Sequence, residues 1–198
     1  MLRDSKMQGI LDQFVRRVAD FLPITSAGVS LSWTDGDPEL MAASSPSALE
    51  FELLQSVLGE GPRFLSGRTG DVVAIPDFKS DRQFSGFHRR AVTENLAAVF
   101  SFPLRNGRDL VGALNLYRDT PGALDADAMR AAQTLADVAA AYVTNARSRV
   151  DLQAASARAR QRSLHDPLTG LPNRVLLLER LEHAFLRGRR SRSLTAVL

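Results

Sequence analysis

Near the N-terminus, apolar side chains fall at Met7, Ile10, Leu11, Phe14, Val15, Val18 and Phe21. That spacing draws one apolar stripe along a helix. Pro23 ends it, because its ring clashes with the preceding turn and it has no amide donor. From Ile24 to Trp33 the rhythm changes to period two: Ala27, Val29, Leu31 and Trp33 alternate with Gly28, Ser30 and Ser32, the pattern of a half-buried strand. Asp35-Gly36 is a turn signal, and a second strand near Glu39 to Ala43 completes a hairpin. Ser45 or Ser47 can cap a further helix through Leu49, Phe51, Leu53, Leu54 and Val57 to Leu58, broken at Glu60-Gly61-Pro62.

A short helical turn around Phe64-Leu65 follows, then the strand Val72 to Ile75, stopped by Pro76. Residues 77–97 are polar and aromatic, with a helix predicted from Gly86 to Asn95. Two clear strands, Ala98–Leu104 and Leu110–Tyr117, flank Asn106-Gly107. After Pro121-Gly122 the chain is alanine-rich and reads as helix to about Ser163. This order predicts an α+β fold, one antiparallel sheet covered by helices.

Composition narrows the chemistry. The sequence has no cysteine, which removes disulfides, thiolate nucleophiles and Cys-held metal clusters. No apolar stretch is long enough to span a bilayer, and no leader pattern opens the chain, so a cytoplasmic protein without membrane contact is expected. Residues 1–146 carry 14 Lys/Arg against 18 Asp/Glu, and residues 147–198 carry 11 Arg against 4 acids. The basic tail has its arginines at helical spacing, with Phe185 the one aromatic among them. A solvated helix face is therefore preferred to a nucleic-acid site. No phosphate-binding Gly-rich loop, no His-Glu-x-x-His and no metal-ligand cluster occurs, so no catalytic or metal residue is assigned.

The ordered set Gly59-Glu60-Gly61-Pro62, Arg68-Thr69-Gly70, Val72 to Asp77, Ser101-Phe102-Pro103-Leu104-Arg105 and Leu110 to Tyr117 resembles a GAF domain over about residues 6–146. It is most similar to the GAF domains of actinobacterial signalling proteins. The resemblance implies a pocket between one sheet face and residues 76–97. Its candidate ligand residues are Ile75, Asp77, Phe78, Phe84, Phe87, His88, Ser101 and Asn115. His88 could ligate haem as one histidine does in some GAF sensors, but a hydrogen-bonded histidine beside Arg89 and Arg90 is preferred, and no cofactor is evident. The Asn-Lys…Phe…Asp-Glu signature of cyclic-nucleotide-binding GAF domains is missing, which argues against cyclic AMP or cyclic GMP. An unidentified small molecule is the ligand expected. The three phenylalanines have a competing reading, as a satellite core pinning a long loop, and Asp77 one as a turn cap.

The second resemblance lies in Asp166-Pro167-Leu168-Thr169-Gly170-Leu171-Pro172-Asn173-Arg174, which is similar to the Asp-x-Leu-Thr-Gly-Leu-x-Asn-Arg signature opening GGDEF domains, the diguanylate cyclases. It implies a structural pair between Asp166 and Arg174. Asn173 is suited to cap the helix that starts at Arg174. Leu194 to Leu198 looks like the start of the first cyclase strand. The Gly-Gly-Asp/Glu-Glu-Phe hairpin and the metal-binding acids are not in the sequence, so this chain is expected not to be an enzyme, and GTP would belong to a cyclase part outside it.

Between the two resemblances, Met129, Ala136, Val143, Val150, Ala157 and Leu164 recur every seven residues, with Ala132, Ala139 and Ala146 in the second seam position. Such a weak seam suits a parallel homodimer whose helices can shift; the competing reading packs residues 125–146 on their own domain. The expected organisation is a GAF sensory domain at 1–146, a signalling helix at 147–165 and the start of a truncated GGDEF domain at 166–198. The expected function is control of an attached diguanylate cyclase in cyclic di-GMP signalling. The alternatives are a passive dimerisation scaffold, or a regulator of a dual cyclase and phosphodiesterase protein.

Overall fold

The computed structural model describes residues 2–31, 40–107, 109–164, 166, 169 and 171–191. Trp33, the Asp35-Gly36 turn, His165 and the strand expected at 194–198 lie outside the described residues. The chain divides into two compact units, 1–145 and 146–198.

In the first unit the order is α1 (Leu2–Phe21), β1 (Ser26–Leu31), β2 (Leu40–Ala43), α2 (Pro46–Leu58), α3 (Pro62–Thr69), β3 (Val73–Ile75), α4 (Ser85–Thr93), β4 (Ala98–Asn106) and β5 (Asp109–Arg118). The helix α5 (Ala126–Ser163) comes next. The strands form one five-stranded sheet in the order β2-β1-β5-β4-β3, with every neighbouring pair antiparallel. The fold is thus α+β, as the pattern predicts. The segment expected to make a single turn is instead the eight-residue helix α3, with Pro62 in its first turn and Gly70 closing it in the left-handed conformation. Proline is suited to that start because the amide it lacks would have no partner there.

Strand alternation gives the sheet two different faces. On one, Ala27, Val29 and Leu31 of β1, Phe100, Phe102 and Leu104 of β4, and Leu114 and Leu116 of β5 form a continuous core with Leu11, Val15 and Val18 of α1. Ala132, Ala136, Ala139, Ala140 and Val143 of α5 complete it. On the other face a smaller core holds Phe51, Ile75, Phe78, Phe87, Ala91, Val99 and Tyr117. Gly112 joins β5 to β1 at close range: its φ is 155°, and a Cβ there would overlap the Ser30 carbonyl oxygen. Only glycine accepts that approach.

The heptad seam is corrected over its first half. Ala136 and Val143 are fully buried and Met129 is half-buried, all packed within the domain's own sheet-facing core, with Ala132 and Ala139 beside them. Alanine's small volume lets the helix backbone approach the sheet, which is why this face reads like a weak coil. An apolar stripe does reach the outside: the half-buried Leu135 and the exposed Val138 and Tyr142 each stand one residue before a seam position, with Val138 59% exposed. One residue is about 100° round a helix, so the free stripe and the expected seam look in different directions. With Phe14, Val18 and Phe21 of α1, Leu135 lines a groove of about 470 Å³.

The second unit holds the end of α5 and the helix α6 (Arg174–Ser191). Val150 is exposed and Leu164 half-buried, and the side chain of Ala157 lies outside those described. Asp166 Oδ1 accepts from both the backbone N–H and the hydroxyl of Thr169, at 2.9 Å each. Asn173 Oδ1 accepts from the amides of Val175 at 3.0 Å and Leu176 at 3.1 Å. This satisfies two of the helix's orphan donors. Arg174 stands exposed at the first position of α6.

The two faces of α5 can be told apart by substitution. Ala136→Leu forces volume into a sealed layer and is expected to destabilise the chain by about 1–3 kcal/mol. Val138→Ser should change stability by no more than about 0.5 kcal/mol. Urea unfolding measures both, and equal effects would mean the buried face has been misplaced.

Candidate functional site: a buried polar cluster beneath two helices

Of the apolar residues that mark helix α2 in the sequence, Leu49, Leu53, Val57 and Leu58 are exposed, Val57 to 84%, while Phe51 is buried together with Ala48, Glu52 and Gln55. The buried set is itself at helical spacing, i, i+3, i+4 and i+7. Ser45 fixes the start of this helix by accepting from the Ala48 amide at 3.1 Å.

Glu52 is 0% exposed. A carboxylate taken that far from water must be met by donors, and β5 supplies them. Glu52 Oε1 accepts from Asn115 Nδ2 at 2.7 Å and from the Tyr117 hydroxyl at 2.8 Å. Gln55 Nε2 donates to the same Tyr117 oxygen at 3.3 Å, and Gln55 Oε1 accepts from the Arg63 amide at 3.1 Å. Ser101 on β4 donates to Asn115 Oδ1. One connected set of polar groups therefore ties α2, α3, β4 and β5 together. Room for it comes from β1, where a Cβ at Gly28 would overlap Glu52 Oε1. Ser101, Asn115 and Gly28 are cross-strand partners in one row, so sheet register itself brings them under α2.

The phenol of Tyr117 is held well above its ordinary range. Burial is the main cause, reinforced by the charge of Glu52 and by the hydrogen bond to it, while the Arg63 charge and the Gln55 hydrogen bond act in the opposite sense. Tyr117 is thus fixed as a donor and Glu52 as an acceptor. Sealed from solvent, the pair orients and fastens its neighbours.

The ligand residues expected from the sequence divide into two groups. Ser101 and Asn115 face inward and belong to the cluster. Ile75, Phe78 and Phe87 are buried core, Phe84 is half-buried against them, and Phe78 meets Phe87 edge-on at 5.6 Å between ring centres. The space beneath residues 76–97 is filled by these side chains, the satellite-core reading. His88 Nε2 donates to the Phe78 carbonyl oxygen at 2.5 Å, so that nitrogen is engaged with protein. Asp77 caps a turn, accepting from the Lys79 amide at 2.9 Å. Sequence reasoning missed Glu52, Gln55, Arg63 and Tyr117. The signal available was Gly28 together with a carboxylate and an amide at positions 52 and 55, one turn apart. No group of three or more metal-ligating side chains occurs among the described residues, and no helix among them is long and apolar enough to cross a membrane.

A sheet sealed on one face by a helix pair, and fastened on the other by buried polar groups under short helices, defines a small α+β domain. Residues 4–144 match the GAF domain family, and the chain belongs to it. GAF domains are sensory and regulatory modules of signalling proteins. Among solved structures, the chain is similar to a domain of a Sinorhizobium meliloti protein described as a two-component sensor histidine kinase. Identity there is 18%, with 73% of this chain and 95% of that one covered, at a TM-score of 0.60. The GAF domain of an Acinetobacter phosphoenolpyruvate-protein phosphotransferase aligns at 18% identity over 73% of this chain and 86% of its own, TM-score 0.58. A Synechocystis GAF domain solved in its photoproduct state aligns at 17% over 74% and 99%, TM-score 0.59. Likeness at these identities is a likeness of fold. No curated protein matches the chain.

Tyr117→Phe removes one donor from a buried carboxylate and is expected to cost about 1.5–3 kcal/mol near neutral pH. The native phenol holds its proton more tightly than the unfolded one, so its share of stability is complete below about pH 10 and declines as the pH rises beyond it. The wild type should therefore lose stability more steeply than Tyr117→Phe on going to alkaline pH in denaturant titrations. Parallel slopes would show that Tyr117 is not held as described.

Proposed function

We propose that this GAF domain regulates a diguanylate cyclase joined to it through residues 166–174, and that it does so as a homodimer. The observation that carries this reading is the Asp-x-Leu-Thr-Gly-Leu-x-Asn-Arg signature, supported by the local geometry around it. Asp166 gathers Thr169, and Asn173 caps α6 so that Arg174 opens the helix. A turn that joins one helix to the next is suited to passing on a change in helix placement. Dimerisation is supported by the exposed Val138 and Tyr142, with the half-buried Leu135 beside them, and by the exposed Val150 further along α5. Cyclic di-GMP formation needs two cyclase domains facing each other, so a helix pair that shifts could gate it.

One observation favours the alternative of a passive dimerisation scaffold: the region beneath residues 76–97 is occupied by Phe78, Phe84 and Phe87. On that reading the domain brings two cyclases together without responding to a ligand there.

The test is to join residues 1–198, in register at the signature, to a complete GGDEF domain and to measure cyclic di-GMP formation, with mass by light scattering. Val150→Pro breaks α5 beyond the folded first unit at a local cost of about 3 kcal/mol. It is expected to leave the unfolding of that unit unchanged while changing cyclase output severalfold. Output indistinguishable from the unmutated fusion, or a monomer at all concentrations, would overturn the reading.

A further inference from the structure

A cleft of about 250 Å³ opens on the polar side of the sheet, away from the filled region under residues 76–97. Its lining includes Ser30 of β1, Gly112 and Ala113 of β5, and Arg63, Phe64, Gly67 and Arg68 of α3. Three features shape the cleft. Ser30 is 2% exposed and lines the cleft, with a hydroxyl that can both donate and accept a hydrogen bond. Arg63 is 4% exposed, with its guanidinium carbon 4.4 Å from the centre of the Phe64 ring. That stacking fixes the plane of its donors.

The third feature is Gly67. A glycine inside a helix weakens it relative to alanine, and here no close neighbour requires one, since a Cβ at this position meets nothing within 4 Å. What the missing side chain does is leave the cleft open. On the sheet side, Gly112 and Ala113 keep the opposite wall shallow.

The charges decide the ligand class. Arg63 and Glu52 both act on Tyr117, in opposite senses, so their charges offset one another within the interior. Arg68 is exposed at the cleft and makes no ion pair among the described residues. The cleft therefore presents a net positive charge, the Ser30 hydroxyl and the apolar surfaces of Phe64 and Leu110. We propose that it binds a small organic oxyanion, a carboxylate or phosphate head with a compact apolar body. The cleft lies wholly within the first unit, so its occupancy is independent of any attached cyclase.

Isotope-edited NMR of the chain, titrated with benzoate and separately with inorganic phosphate, tests it. Saturable shifts centred on Ser30, Gly67 and Gly112 are expected. Saturation by benzoate alone identifies a carboxylate ligand with an apolar body; saturation by phosphate alone identifies a phosphate head. Arg68→Gln should weaken binding roughly tenfold, the loss of one charge-assisted contact. Gly67→Phe should abolish binding by filling the cleft, while Gly67→Ala, which fits the same space, should retain it. A folded spectrum showing no saturable shift with either probe overturns the proposal. So does undiminished binding by a folded Gly67→Phe variant.

Discussion

The constraint on which the domain depends is a carboxylate placed where water cannot reach it. Glu52 sits beneath α2 with no exposed surface, and its Oε1 takes two donors from one strand, Asn115 and Tyr117. Removing a charge from water costs several kcal/mol unless hydrogen bonds replace the lost hydration. The positions of α2 and β5 are therefore not independent. A small slide of α2 along the sheet would leave the carboxylate facing apolar side chains, and a one-residue slip of β5 would turn Asn115 and Tyr117 to the opposite face. Register and helix placement are fixed by the same atoms.

That requirement also explains what the sequence hides. The α+β order, the antiparallel strands, the Asn106-Gly107 reversal and the Asn173 cap were legible, because each rests on local periodicity or turn chemistry; Pro103, expected to end its strand, instead lies inside β4 opposite Ala113. The inward face of α2 was not legible. Leu49, Leu53 and Val57 stand exposed, whereas Glu52 and Gln55 are buried beside Ala48 and Phe51. Only the partners make sense of it, and they lie 63 and 65 residues further along the chain. A polar group can be recognised as core only when its donors are known, and those are set by strand register.

The long helix teaches a related lesson. Ala132, Ala136, Ala139 and Val143 repeat at a spacing that serves equally well for a dimer seam or for packing on a sheet. Sequence alone leaves the two equivalent. The sheet decides between them, because Phe100, Phe102, Leu114 and Leu116 offer a broad apolar surface that this stripe covers. The stripe one residue earlier, at Leu135, Val138 and Tyr142, reads as less regular because the charged Asp137 and the polar Thr134 interrupt it, yet it is the one whose Val138 and Tyr142 are left exposed.

Together these arrangements place a mechanical connection through β5. Its residues alternate between the two sides: Asn115 and Tyr117 hold the carboxylate, while Leu114 and Leu116 pack in the core shared with α1 and α5. A strand cannot move one set without the other. The Arg63 amide meets Gln55, which in turn meets Tyr117, while the Arg63 side chain walls the cleft at α3. Any occupant that repositions α3 therefore acts on Gln55, then on the Tyr117 hydroxyl, and through β5 on the layer beneath α5. The strength of such coupling is bounded by the free energy that separates the two placements of α3 in the presence and absence of that occupant. Because each link is a buried hydrogen bond, costly to leave unmade, the chain of contacts favours discrete alternatives over gradual adjustment.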